Sequence, residues 1–507
     1  MQPAIVFIGF MGAGKSTALA AAREAGLETV EIDELMEREL GKPLRQAFEE
    51  DGEEAFRARE AEVVGALLEQ ADGGAIALGG GSVLSGRVRE ALKRHIVVLL
   101  EIDAAEAWRR IEGTDRPLAT SEADVERLLA ERAPLYEELA DAVVPTVDEG
   151  VVGRALPAIQ ALAEMPAGTK LLWASSQSGD YPIWVGQDLL GTEWWPLEGR
   201  RLCVTDRNAS RYAGRLRGLS SVIEIEPGEG SKNLDQVGEV IRSFAKQQMT
   251  REDHVVALGG GVVGDLAGFC AHIYQRGVPV VQVPTTLVAQ VDSAYGGKTG
   301  VDIDELKNYA GAYHLPAAVI ADTSTLTSLP VEQTAAGFVE VIKTGLLAGG
   351  RLWEMVEETD ANYPPEHLEK LVFACARYKC AIVAADERDG GLRQVLNLGH
   401  TVGHAIEGVS GYSYLHGEAI GLGLLAALRL SDASQLRHVV EMILTYHGLP
   451  TRLDGGVSAD AILNALQRDK KRTAAGVGFV LLSEPGKPRT GQLVDPAKVR
   501  AAVEELY

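Results

Sequence analysis

The stretch Gly9-Phe10-Met11-Gly12-Ala13-Gly14-Lys15-Ser16-Thr17 follows an apolar run at residues 4–8 and precedes an Ala-rich stretch with helical spacing. The order strand, G-x-x-x-x-G-K-S loop, helix is that of a phosphate cradle, and it puts the opening of the chain in the α/β class. Glycines belong in such a loop because it turns through backbone angles that a Cβ resists, bringing successive N–H groups onto phosphate oxygens. Gly12, Ala13, Gly14, Lys15, Ser16 and Thr17 are therefore candidate contacts for ATP, with Lys15 on the β/γ-phosphates and Ser16 holding Mg²⁺. A Gly-rich turn ahead of an ordinary helix is the plain alternative. The loop by itself does not name the phosphoryl acceptor.

A chain of 507 residues exceeds what one hydrophobic core usually serves, so two or more domains are expected. Hydrophobic residues make up 46% and charged residues 24%, which excludes a disordered or fibrous chain. The net charge of −23 argues against nucleic acid or a membrane surface as partner, since either needs Lys and Arg to offset phosphates. Anionic small-molecule substrates must instead meet local basic pockets. Cys203, Cys270, Cys375 and Cys380 form no C-x-x-C pair, and no secretory leader pattern opens the chain. No apolar run reaches the roughly 18 residues of a membrane span. A cytoplasmic protein with reduced thiols is expected.

Over the first 165 residues the apolar runs 4–8, 75–78 and 96–102 alternate with helical patterns at 54–68 and 123–132, the βα alternation of a parallel sheet. A helical pattern at 153–163 then gives way to Glu164-Met165-Pro166-Ala167-Gly168-Thr169-Lys170, polar and turn-rich, which reads as a tether. The expected organisation is a first domain at 1–164, a linker at 165–170, an α/β part at 171–330 and a mostly helical part at 331–507. Ala- and Leu-rich stretches at 335–347, 368–385, 402–406 and 419–430 mark the helices of the last part.

In the first domain, Asp33, Arg57, the Gly79-Gly80-Gly81 turn, Arg116 and Arg132 are the groups a small phosphoryl acceptor would need. Taken singly, Asp33 reads as well as a helix N-cap, and Arg57 and Arg132 as solvated helix charges. The set changes that, with Phe56-Arg57 before Glu60, Leu78-Gly79-Gly80-Gly81, Asp115-Arg116-Pro117-Leu118 and Arg132-Ala133-Pro134-Leu135-Tyr136 in order. Residues 1–163 resemble the shikimate kinase family. The resemblance implies transfer of the ATP γ-phosphate to the 3-hydroxyl of shikimate, mainly by positioning and charge stabilisation. It places Asp33 on the shikimate hydroxyls beside the reacting oxygen, Arg57 and Arg132 on the carboxylate, Gly79, Gly80 and Gly81 along the ring, and Arg116 on a lid against the transferring group. Glu31 departs from the family's common pair of aspartates spaced by one residue, and a longer carboxylate still reaches a Mg²⁺-bound water.

Farther on, Gly259-x-Gly261-x-x-Gly264 follows the apolar run 254–258 and fits a dinucleotide fingerprint. It lacks the acidic residue about 20 positions on, so the pattern alone stays undecided. Glu340 in Gly337-Phe338-Val339-Glu340-Val341-Ile342-Lys343 is followed by His400 and His404 in Asn397-Leu398-Gly399-His400-Thr401-Val402-Gly403-His404, and by His416 in Leu415-His416-Gly417-Glu418. Glu340 with two of the three histidines would make a catalytic zinc site with an open position. The i, i+4 spacing puts His400 and His404 on one helix face and suggests both as ligands. Buried, hydrogen-bonded core histidines are the alternative.

From about residue 171 to 507 the chain resembles the 3-dehydroquinate synthase family. The motifs include Thr205-Asp206-Arg207-Asn208, Pro227-Gly228-Glu229-Gly230-Ser231-Lys232, Gly259-Gly260-Gly261-Val262-Val263-Gly264-Asp265, Pro284-Thr285-Thr286-Leu287, Gly296-Gly297-Lys298-Thr299, Lys307-Asn308 and Asp469-Lys470-Lys471. This resemblance implies Glu340, His400 and His416 as ligands of a divalent Zn²⁺ or Co²⁺, with His404 on the substrate phosphate instead. It implies NAD⁺ held by Asp206, Asn208, Glu229, Lys232, Gly260, Gly261, Gly264, Asp265, Thr285, Thr286, Asp292, Lys298, Lys307, Thr325, Leu326, Thr327 and Ser328. Substrate contacts would come from Lys307, Asn308, Lys343, Arg393, Asn397, His404 and one of Lys470 or Lys471, with Arg276 reaching across a homodimer interface. Lys298, Lys343, Arg393, Asn397 and His404 take the catalytic roles on this reading.

The implied reaction turns 3-deoxy-D-arabino-heptulosonate 7-phosphate into 3-dehydroquinate and phosphate. Transient oxidation of a secondary alcohol acidifies the neighbouring C–H, phosphate leaves, and the hydride returns, so NAD⁺ is recycled within a turnover. The expected protein is an α/β fusion of a P-loop kinase with a parallel sheet, an NAD-binding α/β subdomain and a helical metal-binding subdomain. The alternatives are a nucleotide-binding regulatory module joined to a polyol dehydrogenase or to another sugar-phosphate cyclase. A regulatory module would not need Asp33, Arg57, Arg116 and Arg132 together, and a dehydrogenase would accumulate NADH.

Overall fold

The structure is a computed structural model that describes residues 2–113, 121–304, 306–411, 413–468, 472–473 and 476–507. Arg116, Lys470 and Lys471 lie outside the described residues. The chain divides into two compact units, Met1–Ser175 with Pro182–Trp184, and Ser176–Tyr181 with Val185–Tyr507.

In the first unit, β1 (Ile5–Ile8), β2 (Thr29–Glu31), β3 (Ala75–Ala77), β4 (Ile96–Glu101), β5 (Ala142–Pro145) and β6 (Lys170–Ser176) form a parallel sheet in the order β2-β3-β1-β4-β5-β6. β1 and β3 are apolar and buried at every position, as strands of a parallel sheet covered on both faces must be. The helical patterns become Glu53–Gln70, Glu122–Leu139 and Val151–Ala161. Past the last of these, Leu162–Glu164 makes a single turn, and β6 begins at Lys170. Leu171 and Leu172 are buried and pair with Ala142 and Val143, while Lys170 Nζ donates to Ala140 O at 2.6 Å. The polar segment after residue 164 thus leads into one more strand of the same unit. Its two consecutive leucines are what commit it there.

β7 (Gly179–Gly186) is divided between the units, and the second unit carries β8 (Arg201–Asp206), β9 (Leu219–Ile225), β10 (His254–Gly259), β11 (Val280–Pro284), the antiparallel hairpin β12 (Lys298–Ile303) and β13 (Leu306–Tyr313), and β14 (Ala318–Asp322). Five of these form a parallel sheet in the order β14-β11-β10-β8-β9. Helices Leu234–Lys246 and Gly261–Ile273 bury Val240, Phe244, Leu266 and Ala267 in a core shared with β8 and β10. Helices Val331–Ala348, Pro365–Ala385, His400–Val409 and His416–Leu430 follow, each longer than its sequence pattern except at shared ends. The last part is not purely helical, since β15 (Arg472–Thr473), β16 (Gly476–Leu482) and β17 (Pro488–Leu493) form a small antiparallel sheet. β17 alternates half-buried and exposed residues and so gives no strong apolar run to read. Among the described residues no helix is long and apolar enough to cross a membrane.

Candidate active sites

In the first unit a cavity of about 610 Å³ is lined by the loop Met11–Thr17, by Glu31 and Asp33, by Gly79 and Gly80, and by Arg109 and Arg110. The loop can curl because Gly12 and Gly14 take left-handed backbone angles, φ 80° and 85°. A Cβ on Gly12 would also lie 3.3 Å from Ala107 O. Lys15 Nζ folds onto the loop, donating to Gly9 O at 3.0 Å and Phe10 O at 2.9 Å. Ser16 Oγ donates to Glu31 Oε1 at 2.5 Å, which puts a hydroxyl and a carboxylate side by side where a hard cation prefers oxygen donors.

On the far side of the same cavity, Asp33 occupies the first turn of helix Ile32–Leu40. Arg57 Nη1 donates to Glu60 Oε2 at 2.6 Å, and buried Glu60 also accepts from Ser82 Oγ at 2.7 Å. The guanidinium lies so close over Gly81 that a Cβ there would be 2.4 Å from its Cζ. Arg132 is buried, and Tyr136 OH donates to Gly80 O at 2.5 Å. Burial pushes the Tyr136 phenol up, so it acts as a fixed donor. Arg57, Arg132 and the Gly79–Gly81 turn therefore meet in one place, two guanidinium groups beside glycine backbone. Glu60 entered the sequence reading only as a motif neighbour of Arg57, without this anchoring role, and Arg110 was missed; it donates to Gly12 O at 3.2 Å and Thr146 O at 2.9 Å and so ties the phosphate loop to the end of β5.

In the second unit, Glu340 and Lys343 stand one turn apart on the buried helix Val331–Ala348, with Oε2 and Nζ 2.5 Å apart. His400 and His416 are each the first residue of a helix. Those helices come close because glycines allow it: a Cβ on Gly417 would lie 1.8 Å from Ala336 O, and one on Gly423 2.1 Å from Gly399 O. As a result His400 Nε2 lies 3.5 Å, and His416 Nε2 3.3 Å, from Glu340 Oε1. The other nitrogens face acceptors, His400 Nδ1 with Leu398 O at 3.1 Å and His416 Nδ1 with Glu407 Oε2 at 3.3 Å. Glu340 is fully buried, and neither carboxylate oxygen has a hydrogen bond.

Two imidazoles presenting the same nitrogen to one orphaned carboxylate oxygen are the donor set of a divalent cation with room for a further ligand. The electrostatics agree. Burial pushes His400 down to about 3, keeping it neutral as a ligand must be. Burial also opposes charge on His416, yet Glu340 and Glu407 raise it to about 10, the mark of a pocket that favours a cation. His404 is exposed, its ring 5.1 Å from that of His400. A second group, His404, Glu407 and His416, lies within 4.8 Å, but Glu407 Oε1 already accepts from Lys307 Nζ at 3.2 Å. The i, i+4 pair is thus divided, with His400 turned toward Glu340 and His404 toward solvent.

Around this centre, Asp292 pairs with buried Lys379 (2.8 Å) and Lys298 with Asp389 (2.6 Å). Arg393 is fixed by Glu387 O (2.6 Å) and Gly296 O (3.1 Å), and Asn397 Nδ2 donates to Gln394 O (3.1 Å). Asn308 takes φ 51° and donates its N–H to Asp302 Oδ1 at 2.6 Å, and Arg276 takes φ 68° at the turn after helix Gly261–Ile273. At the sheet, Asp206 Oδ1 accepts from the N–H groups of Asn208 and Ala209, both at 2.8 Å. The fingerprint glycines have distinct steric reasons, since a Cβ on Gly259 would lie 2.6 Å from Val263, one on Gly261 3.1 Å from Ser293 and one on Gly264 2.9 Å from Gln282 of β11, while one on the intervening Gly260 would lie 3.0 Å from Thr286. Lys232 pairs with Asp265 (2.6 Å), and Lys232 and Lys307 each lie 3.8 Å from Glu229. Thr285 and Leu326 are buried. Thr325 Oγ1 donates to Asp322 O (2.7 Å), Thr327 Oγ1 to Ser324 O (2.7 Å) and Ser328 Oγ to Thr325 O (3.0 Å), so these hydroxyls hold the turn Thr323–Ser328 together. Glu407 and Lys379 escaped the sequence reading. Glu407 had a signal, lying three residues after His404 and seven after His400 on the same helix face.

Residues 11–160 match the family described as shikimate kinase, 222–336 that described as 3-dehydroquinate synthase N-terminal, and 337–472 its C-terminal counterpart. The 3-dehydroquinate synthase of Symbiobacterium thermophilum is 40% identical over 349 residues, 64% of this chain and 98% of that protein. Among solved structures, 2-deoxy-scyllo-inosose synthase complexed with carbaglucose-6-phosphate, NAD⁺ and Co²⁺ aligns with a TM-score of 0.61 at 25% identity, over 67% of this chain and all of that one. The 2-epi-5-epi-valiolone synthase of Streptomyces hygroscopicus, with NAD⁺ and Zn²⁺ bound, aligns with a TM-score of 0.60 at 25% identity, over 64% and 96%.

Proposed function

Because the chain belongs to the 3-dehydroquinate synthase family and carries a shikimate kinase domain ahead of that part, we propose how its own residues divide two reactions of aromatic biosynthesis. The protein is an enzyme twice over: a kinase that phosphorylates shikimate at the 3-hydroxyl from ATP, and a synthase that forms 3-dehydroquinate and phosphate from 3-deoxy-D-arabino-heptulosonate 7-phosphate. Identity of 40% along 98% of a 3-dehydroquinate synthase, against 25% to the other cyclases, favours that substrate. The single observation carrying the synthase site is the fully buried carboxylate of Glu340, ion-paired with Lys343 through Oε2, with His400 and His416 converging on its Oε1.

In the kinase the work is positioning and charge. Gly12–Thr17 would wrap the phosphates with backbone N–H groups, Lys15 would leave its loop carbonyls for the β/γ-phosphates, and Ser16 with Glu31 would hold Mg²⁺, whose charge would offset that of the phosphates. Arg57 and Arg132 take the shikimate carboxylate, and Asp33 holds the hydroxyl that attacks. The family resemblance assigns Arg116, which lies outside the described residues, to the transferring group.

In the synthase Glu340, His400 and His416 would hold Zn²⁺ or Co²⁺, and the Gly260–Asp265 turn with Asp206 and Glu229 would hold NAD⁺. When bound, NAD⁺ supplies a reversible hydride acceptor and the cation a Lewis acid for the alcohol and ketone oxygens. Lys343 lies beside Glu340, where its ammonium balances the charge of the substrate oxygens. Arg393, pinned by two backbone carbonyls, and Lys298 offer fixed cations to carboxylate and phosphate. Exposed His404 would meet the departing phosphate, a grip that Asn397 and Lys307 would share. One of Lys470 or Lys471 completes the grip, and Arg276 contributes from a second copy in a homodimer. The protein works in the cytoplasm. The purified chain, supplied separately with each substrate, is expected to form ADP only with shikimate and to release phosphate from the heptulosonate phosphate. Failure of either alone removes that half of the proposal.

A further inference from the structure

The two nitrogens of His416 face two different carboxylates. Nε2 lies 3.3 Å from Glu340 Oε1 and Nδ1 lies 3.3 Å from Glu407 Oε2. The other oxygen of Glu407 accepts from Lys307 Nζ at 3.2 Å, and that ammonium is 3.8 Å from Glu229 Oε1. Glu407 is only 4% exposed, although it sits on a helix whose neighbouring His404 is open to solvent. A buried acid that makes two such contacts is placed to hold, not to solubilise. The line Glu229, Lys307, Glu407, His416, Glu340 runs from the dinucleotide side of the second unit to its candidate metal centre.

An imidazole binds a cation through one nitrogen while the other carries the proton, and an acceptor for that proton fixes both tautomer and ring plane. His400 has a rigid backbone acceptor, Leu398 O. His416 relies on a side chain instead, and its own side chain is 37% exposed, so its ring is less confined by packing. Glu407 is in turn steadied by Lys307. That lysine is shared with Glu229, so a ligand that engages Glu229 changes the charge Lys307 feels and shifts it toward Glu407.

We propose that Glu407 is a positioning residue that orients His416 toward the cation and, through Lys307, makes cation binding tighter when the dinucleotide pocket beside Glu229 is filled. The proposal rests on the ligand set given above. Coupling of this kind is reciprocal, so NAD⁺ would bind more tightly to the metal-loaded chain by the same factor.

The test uses the full chain stripped of metal and titrated with Co²⁺ against a chromophoric chelator, with and without NAD⁺, while the visible bands of bound cobalt report ligand geometry. Glu407→Ala is expected to weaken Co²⁺ about 10- to 100-fold and to move those bands. Glu407→Gln still offers an amide oxygen to Nδ1–H but no charge to Lys307. It is expected to keep most of the affinity while losing the tightening by NAD⁺. Unchanged affinity and bands in Glu407→Ala overturn the positioning role. A parent chain without NAD⁺ dependence, or a Gln variant that keeps it, overturns the coupling. His416→Ala in the same titration separates the two layers: if it binds Co²⁺ as tightly as the parent, the ligand set itself is wrong. If it loses Co²⁺ while Glu407→Ala does not, only the positioning role fails. Should Glu407→Ala not fold, as judged by far-UV circular dichroism, the Gln variant carries the test alone.

Discussion

Gly81→Ala should damage the kinase at one substrate and leave its fold standing. Gly81 has φ −101°, an angle any residue adopts, so the backbone offers no objection. The objection is spatial. A Cβ would lie 2.4 Å from Arg57 Cζ and Nη1 and 2.5 Å from Nη2, contacts that real Cβ atoms do not make. The far end of a flexible side chain yields first, so Arg57 swings off its place while its partner Glu60 stays anchored to Ser82. What is lost is a charge-assisted contact between Arg57 and the shikimate carboxylate, worth about 1.5–3 kcal/mol. At about 1.4 kcal/mol per tenfold, KM for shikimate rises about 10- to 150-fold. KM for ATP should stay near its original value, because the phosphate loop is untouched, and phosphate release by the synthase should not change. Steady-state kinetics with each substrate varied in turn provides the measurement. If shikimate KM stays within about twofold of the parent while the melting temperature is unchanged, Arg57 does not hold the substrate and the assignment is wrong.

Lys15→Ala is expected to abolish shikimate-dependent ATP consumption while phosphate release from the heptulosonate phosphate continues, and comparable loss of both would refute separate sites. Glu340→Ala or His416→Ala should lose bound metal and synthase activity with the kinase spared; full metal occupancy by elemental analysis would contradict the ligand set. A fragment ending at residue 166 lacks β6 and leaves β5 as a bare sheet edge, so it should melt lower and aggregate more than a fragment ending at 175, which keeps Leu171 and Leu172. Acid should weaken the second unit through His254, whose pKa burial and the Arg201 guanidinium push down to about 4 while its Nε2 accepts from Trp195 Nε1 at 2.8 Å. The unfolded chain takes up the proton first, so stability falls as pH drops from about 6.5 to about 4, by up to about 3 kcal/mol, and levels off below. His254→Gln keeps an acceptor for Trp195 and should flatten that limb in denaturant titrations.

The phosphate loop was legible because it is local: its chemistry demands glycines at fixed offsets, and nothing distant decides it. The Glu340, His400 and His416 cluster was legible as a set of residue types, but spacing alone did not say which histidines belong together; the family resemblance did. The pairing depends on Gly417 letting the His416 helix approach helix Val331–Ala348 and on Gly423 letting it approach the start of helix His400–Val409, a tertiary event that moves His416 in and leaves His404 out. The boundary near residue 164 followed composition, yet the strand starting at Lys170 joins the first unit because Ala142 and Val143 offer its leucines a sheet edge. Such pairing leaves no local mark. Glu407, and the anchoring role of Glu60, were overlooked for a related reason, since acids on helices look solvated until the fold buries them against His416 and Arg57.

The central claim, two enzymes on one chain with a synthase that recycles its NAD⁺, is tested most directly by following phosphate release and NADH absorbance together as the purified chain acts on 3-deoxy-D-arabino-heptulosonate 7-phosphate. The account predicts many turnovers of phosphate per NAD⁺ bound with no net NADH. Accumulation of NADH in step with product would mark a dehydrogenase, and absence of phosphate release would mark another substrate; either result contradicts the account.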